Sequence, residues 1–217
     1  LDYYKEISKK LALAKGLTDD QAKALAREGK SVVWIDAGLH ATEVVNAQTH
    51  IQFIHEMLTG NDDETLRFLN DDITLFVFAN PDGMDLVSDW YMRPTDPKKR
   101  NSNTIPILYQ KYIGHDNNRD SFASTQAETT NMNRAGYREW FPQILFNQHQ
   151  TGPVGTVVFI PPFRNPYNYN NEPLVINQTD VVGQAMHARL IAQGKGGSVM
   201  RGGAPYSTWF NGGIRTI

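Results

Sequence analysis

The sequence predicts an α/β protein in which a mostly parallel, twisted sheet carries helices on both faces. Residues 32–35, Val-Val-Trp-Ile, form an apolar run without polar alternation, which is typical of a buried parallel strand. Between Val44 and Leu58, apolar residues recur at spacings of three and four, as on one buried face of a helix. Apolar runs and helical patterns then alternate along the chain, and this alternation predicts parallel strands joined by crossovers.

The other elements follow from the same patterns and from residues that favour helix or strand ends. Thr18 and Gln21, three positions apart, form a capping-box sequence that predicts a helix start. Residues 80–83, Asn-Pro-Asp-Gly, predict a tight turn after a strand. In chain order, the sequence predicts helices at 2–14, 19–27, 44–58, 62–68, 105–113, 125–140 and 174–193, and strands at 31–35, 73–79, 143–147 and 156–160.

Composition limits the classes of protein to which the chain can belong. It has 217 residues, of which 40% are hydrophobic and 20% charged, and these values suit one globular domain with a sizeable core. The net charge of -2 and the lack of a long basic run predict no nucleic-acid partner and no membrane partner. Because the chain has no cysteine, a thiolate metal site and a cysteine nucleophile are excluded.

His40 and Glu43 lie where the first predicted strand passes into a helix. At a separation of three residues, the two side chains can point to one spot, and an imidazole with a carboxylate suits zinc. A loop histidine beside a helix-capping glutamate gives the same short pattern, so the pair alone does not decide between them. His50 and His55 on the following helix are five apart, which is not a ligand spacing, and we expect them at a surface or an interface.

Three predicted strand ends carry polar residues. His40 follows the first strand, the Asn-Pro-Asp-Gly turn follows the second, and His149 follows a third. Parallel strands joined by right-handed crossovers present these ends at one edge of the sheet, where ligands bind in open α/β folds. The sequence therefore predicts a metal site of two histidines and one carboxylate at this edge.

With this constellation, the chain resembles the zinc carboxypeptidases of the carboxypeptidase A type over roughly residues 31–162. The resemblance is to a divergent bacterial branch of that family, and three further segments carry it. They are residues 90–93, Trp-Tyr-Met-Arg; residues 114–120, Gly-His-Asp-Asn-Asn-Arg-Asp; and residues 147–153, Asn-Gln-His-Gln-Thr-Gly-Pro. The resemblance implies a single zinc-peptidase-like domain over residues 1–217. We expect this domain to be incomplete at both ends and to come from a periplasmic or secreted parent protein.

The resemblance also assigns roles to individual residues. It implies Zn²⁺ as the cofactor, held by His40, Glu43 and His149. Asn118 and Arg119 match the pair that grips the C-terminal carboxylate of the substrate, which a guanidinium can bind through two hydrogen bonds. Asp116 matches an acidic residue that orients the first histidine.

Two catalytic positions are assigned less directly. An arginine that polarises the scissile carbonyl is expected between the Asn-Pro-Asp-Gly turn and Asn118, where Arg93 and Arg100 both qualify and Arg93 is preferred. Tyr206 matches the mobile tyrosine that closes over substrate. The general-base glutamate of the family has no match after His149, so we expect this chain to bind zinc but to hydrolyse little.

The predicted function is zinc-dependent hydrolysis of a C-terminal peptide bond. The partner is then a peptide or peptide-like substrate with a free C-terminal carboxylate. Two alternatives remain open. A related zinc amidohydrolase or deacylase shares the fold and ligands but need not keep Asn118 and Arg119, and a non-catalytic zinc-binding fragment lacks the general base.

Overall fold

The computed structural model describes residues 1–110, 113–150, 158–163 and 169–199. The chain forms two compact units, Leu1–Gln150 and Thr151–Ile217. The helices of the first unit are α1 (Asp2–Leu13), α2 (Asp19–Glu28), α3 (Val44–Thr59), α4 (Asp63–Asp71), α5 (Pro81–Met92) and α6 (Ala127–Arg134). Short 3-10 helices span Pro97–Lys99 and Asn117–Arg119, and a π-helix spans Ala135–Trp140.

Strands of the first unit form a three-stranded parallel sheet in the order β2-β1-β3. They are β1 (Ser31–Ala37), β2 (Asp72–Phe78) and β3 (Ile144–Asn147). In the second unit, β4 (Val158–Phe159) pairs with β5 (Ser198–Val199), also in parallel, and α7 (Pro173–Ala192) lies between them in sequence. Every strand pair in the described residues is therefore parallel, as the sequence predicted.

Helical segments cover both faces of the three-stranded sheet. His50 of α3 packs against Phe76 and Phe78 of β2, with ring centroids 5.4 and 5.5 Å apart. On the opposite face, Gly136 of the π-helix lies close to the ring of Trp34, which is 2% exposed. These contacts confirm the predicted α/β class, a parallel sheet between helices. The prediction of one domain incomplete at both ends stays a prediction.

The buried side of α3 differs from the predicted one. Ala47 and His50 are buried, whereas Ile51 and Leu58, which fit the predicted apolar face, are 65% and 73% exposed. A ring nitrogen of His50 lies 3.1 Å from the carbonyl oxygen of Ile35. The prediction that His50 lies at a surface was therefore wrong, because this hydrogen bond and the aromatic packing compensate for burying the imidazole.

Two of the predicted elements are also corrected. Residues 105–110 are bends and irregular chain rather than a helix. The helix predicted at 125–140 begins at Ala127 and changes to π-helical geometry at Ala135. Among the described residues, no helix has the length and apolar character needed to cross a membrane.

The Asn-Pro-Asp-Gly sequence begins α5 and does not form the predicted tight turn. Asn80 Oδ1 accepts a hydrogen bond of 3.0 Å from the Gly83 N–H, as an N-cap residue does, and Pro81 occupies the first helical position. A Cβ added at Gly83 would come within 2.4 Å of the carbonyl oxygen of Tyr109. Glycine is therefore required here for close packing of two backbone segments.

A buried carboxylate organises the loop between residues 115 and 126. Asp120 is fully buried and accepts hydrogen bonds from the backbone N–H groups of Thr125 at 3.1 Å and Gln126 at 2.9 Å, and from the Thr125 hydroxyl. Gln126 in turn donates to the carbonyl of His115 over 2.9 Å. Burial acts to raise the pKa of Asp120, but these hydrogen bonds outweigh it and lower the pKa below its usual value.

Replacement of Gly83 by alanine should lower the free energy of unfolding by about 1–3 kcal/mol, the range for overpacking a tight site. The added methyl group would meet backbone atoms, which cannot rotate away. Urea unfolding of both proteins measures the difference. Gly114→Ala is the matched control, because the nearest atom to a Cβ there is 3.5 Å away, at the end of the Leu108 side chain. Equal losses at the two positions would contradict the packing argument.

Asp120→Asn should destabilise the fold by about 1–3 kcal/mol at neutral pH, since the amide turns a donor toward backbone N–H groups. Because the folded-state pKa of Asp120 is lowered, its contribution is fully present above the unfolded-state pKa of about 3.9 and is lost as the pH falls through the folded-state value. The stability difference between wild type and variant should therefore shrink in acid. Urea unfolding at neutral and acidic pH tests this.

The control is Asp62→Asn. Asp62 also accepts from a threonine, Thr65, but it is an exposed N-cap, and asparagine caps helices about as well as aspartate. This variant should change stability far less than Asp120→Asn. A difference between wild type and Asp120→Asn that stays constant from neutral to acidic pH would contradict the role given to the carboxylate.

Candidate metal centre

Two neighbouring strand ends bring the predicted ligands together. After β1, the chain turns at Gly38, whose φ of 70° lies in the left-handed region that favours glycine. His40 follows this turn, and Glu43 immediately precedes α3. His149 lies two residues beyond the end of β3, which pairs in parallel with β1. The site therefore occupies the carboxyl edge of the sheet.

The carboxylate of Glu43 lies between two imidazole rings. Glu43 Oε1 is 3.0 Å from Nδ1 of His40, and Glu43 Oε2 is 3.1 Å from Nδ1 of His149. Each residue offers a ligand atom, and these atoms all lie within 4.8 Å of one another. The structure thus brings the three residues together, although they come from segments more than 100 residues apart in sequence.

Asp116 contacts the other nitrogen of His40. Its Oδ1 is 3.0 Å from His40 Nε2 and also accepts a hydrogen bond of 2.9 Å from the N–H of Asn118. In metal sites, a carboxylate commonly accepts a hydrogen bond from the ring nitrogen that does not bind the metal, and this contact orients the imidazole. Nδ1 of His40 faces Glu43, and the orienting role of Asp116 stays a prediction.

The electrostatics of the cluster keep Glu43 ionised. Burial acts to raise the pKa of Glu43, but hydrogen bonds from His149, His40 and the backbone N–H of Gln150 outweigh it and lower the pKa to about 2. Burial likewise acts to lower the pKa of His40, and the carboxylates of Glu43 and Asp116 raise it overall. A divalent cation binds an anionic carboxylate and neutral imidazoles, so its binding here would displace the proton that the raised pKa favours on His40.

One residue of the predicted carboxylate-binding pair, Asn118, contacts this cluster. Nδ2 of Asn118 is 3.5 Å from Nε2 of His149. Arg119 follows at the end of a 3-10 helix, where its Nη1 donates to the carbonyl of Asn118 over 2.9 Å. Both side chains are half-buried. The structure places Asn118 beside His149, and the role of Asn118 and Arg119 in binding substrate stays a prediction.

Each of the two candidate arginines contacts a residue close to it in sequence. The exposed guanidinium of Arg93 stacks on Trp90, 4.8 Å from the ring centroid. Arg100 donates through Nε to the carbonyl of Pro94 over 3.0 Å. Neither contact decides which arginine polarises a substrate carbonyl, so the preference for Arg93 stays a prediction. Tyr206 lies outside the described residues.

Tyr109 is a site residue that the sequence did not single out. Its ring meets that of His40 edge-on, with centroids 6.3 Å apart. Burial raises the pKa of Tyr109, and the negative charges of Asp116 and Glu43 add to this effect. The phenol is therefore neutral at physiological pH and offers an O–H donor near the cluster. It lies in the segment 105–113, for which the sequence predicted a helix, and no motif indicated that its side chain would lie near His40.

The donor set fits zinc. The ligand atoms lie within 4.8 Å of one another, close enough that modest side-chain shifts would let all three reach one ion. Two histidines and one carboxylate are a known ligand set of catalytic zinc, and they leave one position open. His40, Glu43 and His149 are the residues that would hold it.

Comparison with known families agrees with this chemistry. A family model described as zinc carboxypeptidase matches residues 7–208 and so covers most of the chain, including the three-residue cluster. Comparisons with curated proteins and with solved structures gave no match. The extent of the family match, together with the parallel sheet and the histidine–glutamate–histidine cluster at its edge, shows that the chain belongs to the zinc carboxypeptidase family.

Proposed function

We propose that this protein is a zinc-dependent metallocarboxypeptidase, which hydrolyses the C-terminal peptide bond of a peptide or peptide-like substrate. The observation that carries the proposal is the convergence of His40, Glu43 and His149 beside the Asn118–Arg119 segment. A metal site alone would fit many hydrolases. The adjoining Asn118–Arg119 segment adds a guanidinium, the group that recognition of a free C-terminal carboxylate needs.

Each residue of the cluster has a part in holding the metal. His40 and His149 present Nδ1, and Glu43 presents its carboxylate, which a pKa of about 2 keeps ionised. Asp116 orients His40 through Nε2. When bound, zinc activates a water molecule and polarises the scissile carbonyl.

The substrate would be oriented by groups of this chain. Arg119 would pair with the terminal carboxylate through two hydrogen bonds, and Asn118 would add a donor beside it. Arg93 would stabilise the negative charge that develops on the carbonyl oxygen. Tyr206 would close over the bound substrate, as its match to the family's mobile tyrosine implies.

Proton transfer needs a base close to the attacking water. Glu172, the glutamate after His149, instead caps α7, where its carboxylate accepts from the N–H of Leu174 over 2.6 Å. General-base assistance is worth about 10²- to 10⁴-fold in rate. We therefore expect zinc binding by these 217 residues to be easier to detect than peptide hydrolysis, and the first test is binding.

The chain should bind one zinc ion, and treatment with a chelator should remove it. His149→Ala and Glu43→Gln should each weaken binding by more than the roughly 10–100-fold that is typical of losing an outer-shell partner, because each removes a ligand. Calorimetric titration of the metal-free protein measures this. His55→Ala, a change of an exposed histidine on α3, is the control and should bind as wild type does. Binding that survives both ligand substitutions would place the metal elsewhere.

Arg119→Ala should weaken binding of a peptide with a free C-terminus to the zinc-loaded protein by about 2–5 kcal/mol, the scale for a lost charged partner. The same peptide with an amidated C-terminus should bind both proteins equally weakly. Arg134→Ala is the control, since that exposed arginine pairs with Glu139 away from the cluster. Equal binding of both peptides by wild type would instead favour an amidohydrolase or deacylase.

A further inference from the structure

The carbonyl of Leu39, the residue directly before His40, is held by two buried side chains. Nδ2 of Asn117 donates to it over 2.8 Å, and Nδ2 of Asn80 lies 3.4 Å from the same oxygen. Asn80 and Asn117 are 1% and 2% exposed, and Leu39 itself is 2% exposed. We call this arrangement, Asn80 and Asn117 on the Leu39 carbonyl, the carboxamide clamp.

The clamp ties together three separate parts of the chain. Asn80 caps α5 after β2 and also donates to the carbonyl of Tyr109 over 3.3 Å. Asn117 begins the 3-10 helix that follows Asp116. Leu39 lies in the turn between β1 and His40. The clamp therefore fixes the backbone from which the His40 side chain projects, relative to the segment that carries the carboxylate on His40 Nε2.

We propose that Asn80 and Asn117 are positioning residues for the metal centre, which set the affinity and the coordination geometry of the ion through His40. The inference rests on the proposed zinc site. Asp116 fixes the rotation of the His40 ring, but only while the backbone of His40 and that of Asp116 keep their separation. The clamp maintains that separation, because Asn117 adjoins Asp116 and Leu39 adjoins His40.

The contacts of the clamp favour a role in orienting the Leu39 backbone over a role in the overall stability of the fold. A carbonyl oxygen has two lone pairs, so either asparagine alone would satisfy the buried Leu39 oxygen. Removal of one donor therefore leaves the oxygen paired but shifts the direction in which it is held. Among the described residues, Asn117 Oδ1 has no hydrogen-bond partner, so loss of the donor to Leu39 is the main polar change when this side chain is removed.

The test uses Asn117→Ala and Asn80→Ser. Serine keeps an oxygen that can accept from the Gly83 N–H, because it is a good N-cap residue, but it is too short to reach Leu39. Asn133→Ala is the matched control. Nδ2 of Asn133 donates to the carbonyl of Ser121 and the hydroxyl of Ser124, each over 2.7 Å, and contributes nothing to the clamp.

Three measurements are made on each protein. They are the zinc dissociation constant by competition with a chromophoric chelator, the d–d absorption spectrum of bound Co²⁺, and the free energy of unfolding of the metal-free protein. Asn117→Ala should weaken zinc binding about 10–100-fold, as outer-shell substitutions do. Asn80→Ser should weaken it less, since its contact is longer. Both should change the Co²⁺ spectrum. Asn133→Ala should lose stability yet keep the affinity and spectrum of wild type.

Two results would overturn the inference while leaving the proposed function intact. The first is unchanged zinc affinity and an unchanged Co²⁺ spectrum in Asn117→Ala and Asn80→Ser. The second is an equal loss of affinity in Asn133→Ala, which would assign the effect to general stability. If Asn117→Ala does not fold without metal, Asn80→Ser decides by the same criteria. Failure of the wild-type chain to bind zinc would overturn both proposals.

Discussion

The carboxylate of Glu43, which contacts both His40 and His149, is the interaction on which the site depends. Its two oxygens accept from two imidazoles that follow neighbouring strands, at 3.0 and 3.1 Å. This contact requires β1 and β3 to run in parallel as direct neighbours, because only then do their carboxyl ends lie side by side. It also requires a sharp turn after β1, which Gly38 permits: a side chain there would be strained at a φ of 70° and would meet Met84 at 2.7 Å.

Around this contact, the protein uses carboxamides and a few carboxylates to satisfy buried polar groups. Asp36, fully buried at the end of β1, accepts from the indole N–H of Trp34 at 2.8 Å and from Nδ2 of Asn147 on β3. Asn80 and Asn117 act on the turn that follows, as neutral donors. A neutral amide beside a metal site supplies hydrogen bonds without adding charge, so the negative charge stays on the groups nearest the two imidazoles, Glu43 and Asp116. The strand end before each histidine is thus held by at least one asparagine.

Local patterns in the sequence were sufficient for the fold class and for which residues would meet. Apolar runs gave the strands, and the polar residues that follow them gave the cluster, since the right-handed crossover leaves few alternatives. Sequence patterns did not predict the structure where the same short sequence is compatible with two local conformations. The Asn-Pro-Asp-Gly sequence suits a tight turn and a capped helix start equally well, and only the space taken by the Tyr109 backbone shows why Gly83 is needed. On α3, Ala47 of the predicted apolar face is buried, but His50 is buried beside it through a hydrogen bond to the Ile35 carbonyl, whereas Ile51 is 65% exposed.

The remaining features of the site depend on contacts between residues far apart in sequence. Rules based on the spacing of nearby residues cannot predict such contacts. Leu39 and Asn80 are separated by 41 residues, and Leu39 and Asn117 by 78. Neither asparagine is a charged group or a metal ligand, and Asn80 was noted only as part of the Asn-Pro-Asp-Gly turn, so no motif indicated that either would contact Leu39. Their importance follows only from burial and from the identity of the carbonyl that they share. A metal ligand can be recognised by its chemistry, whereas the residues that hold it in place are recognised by where the fold puts them.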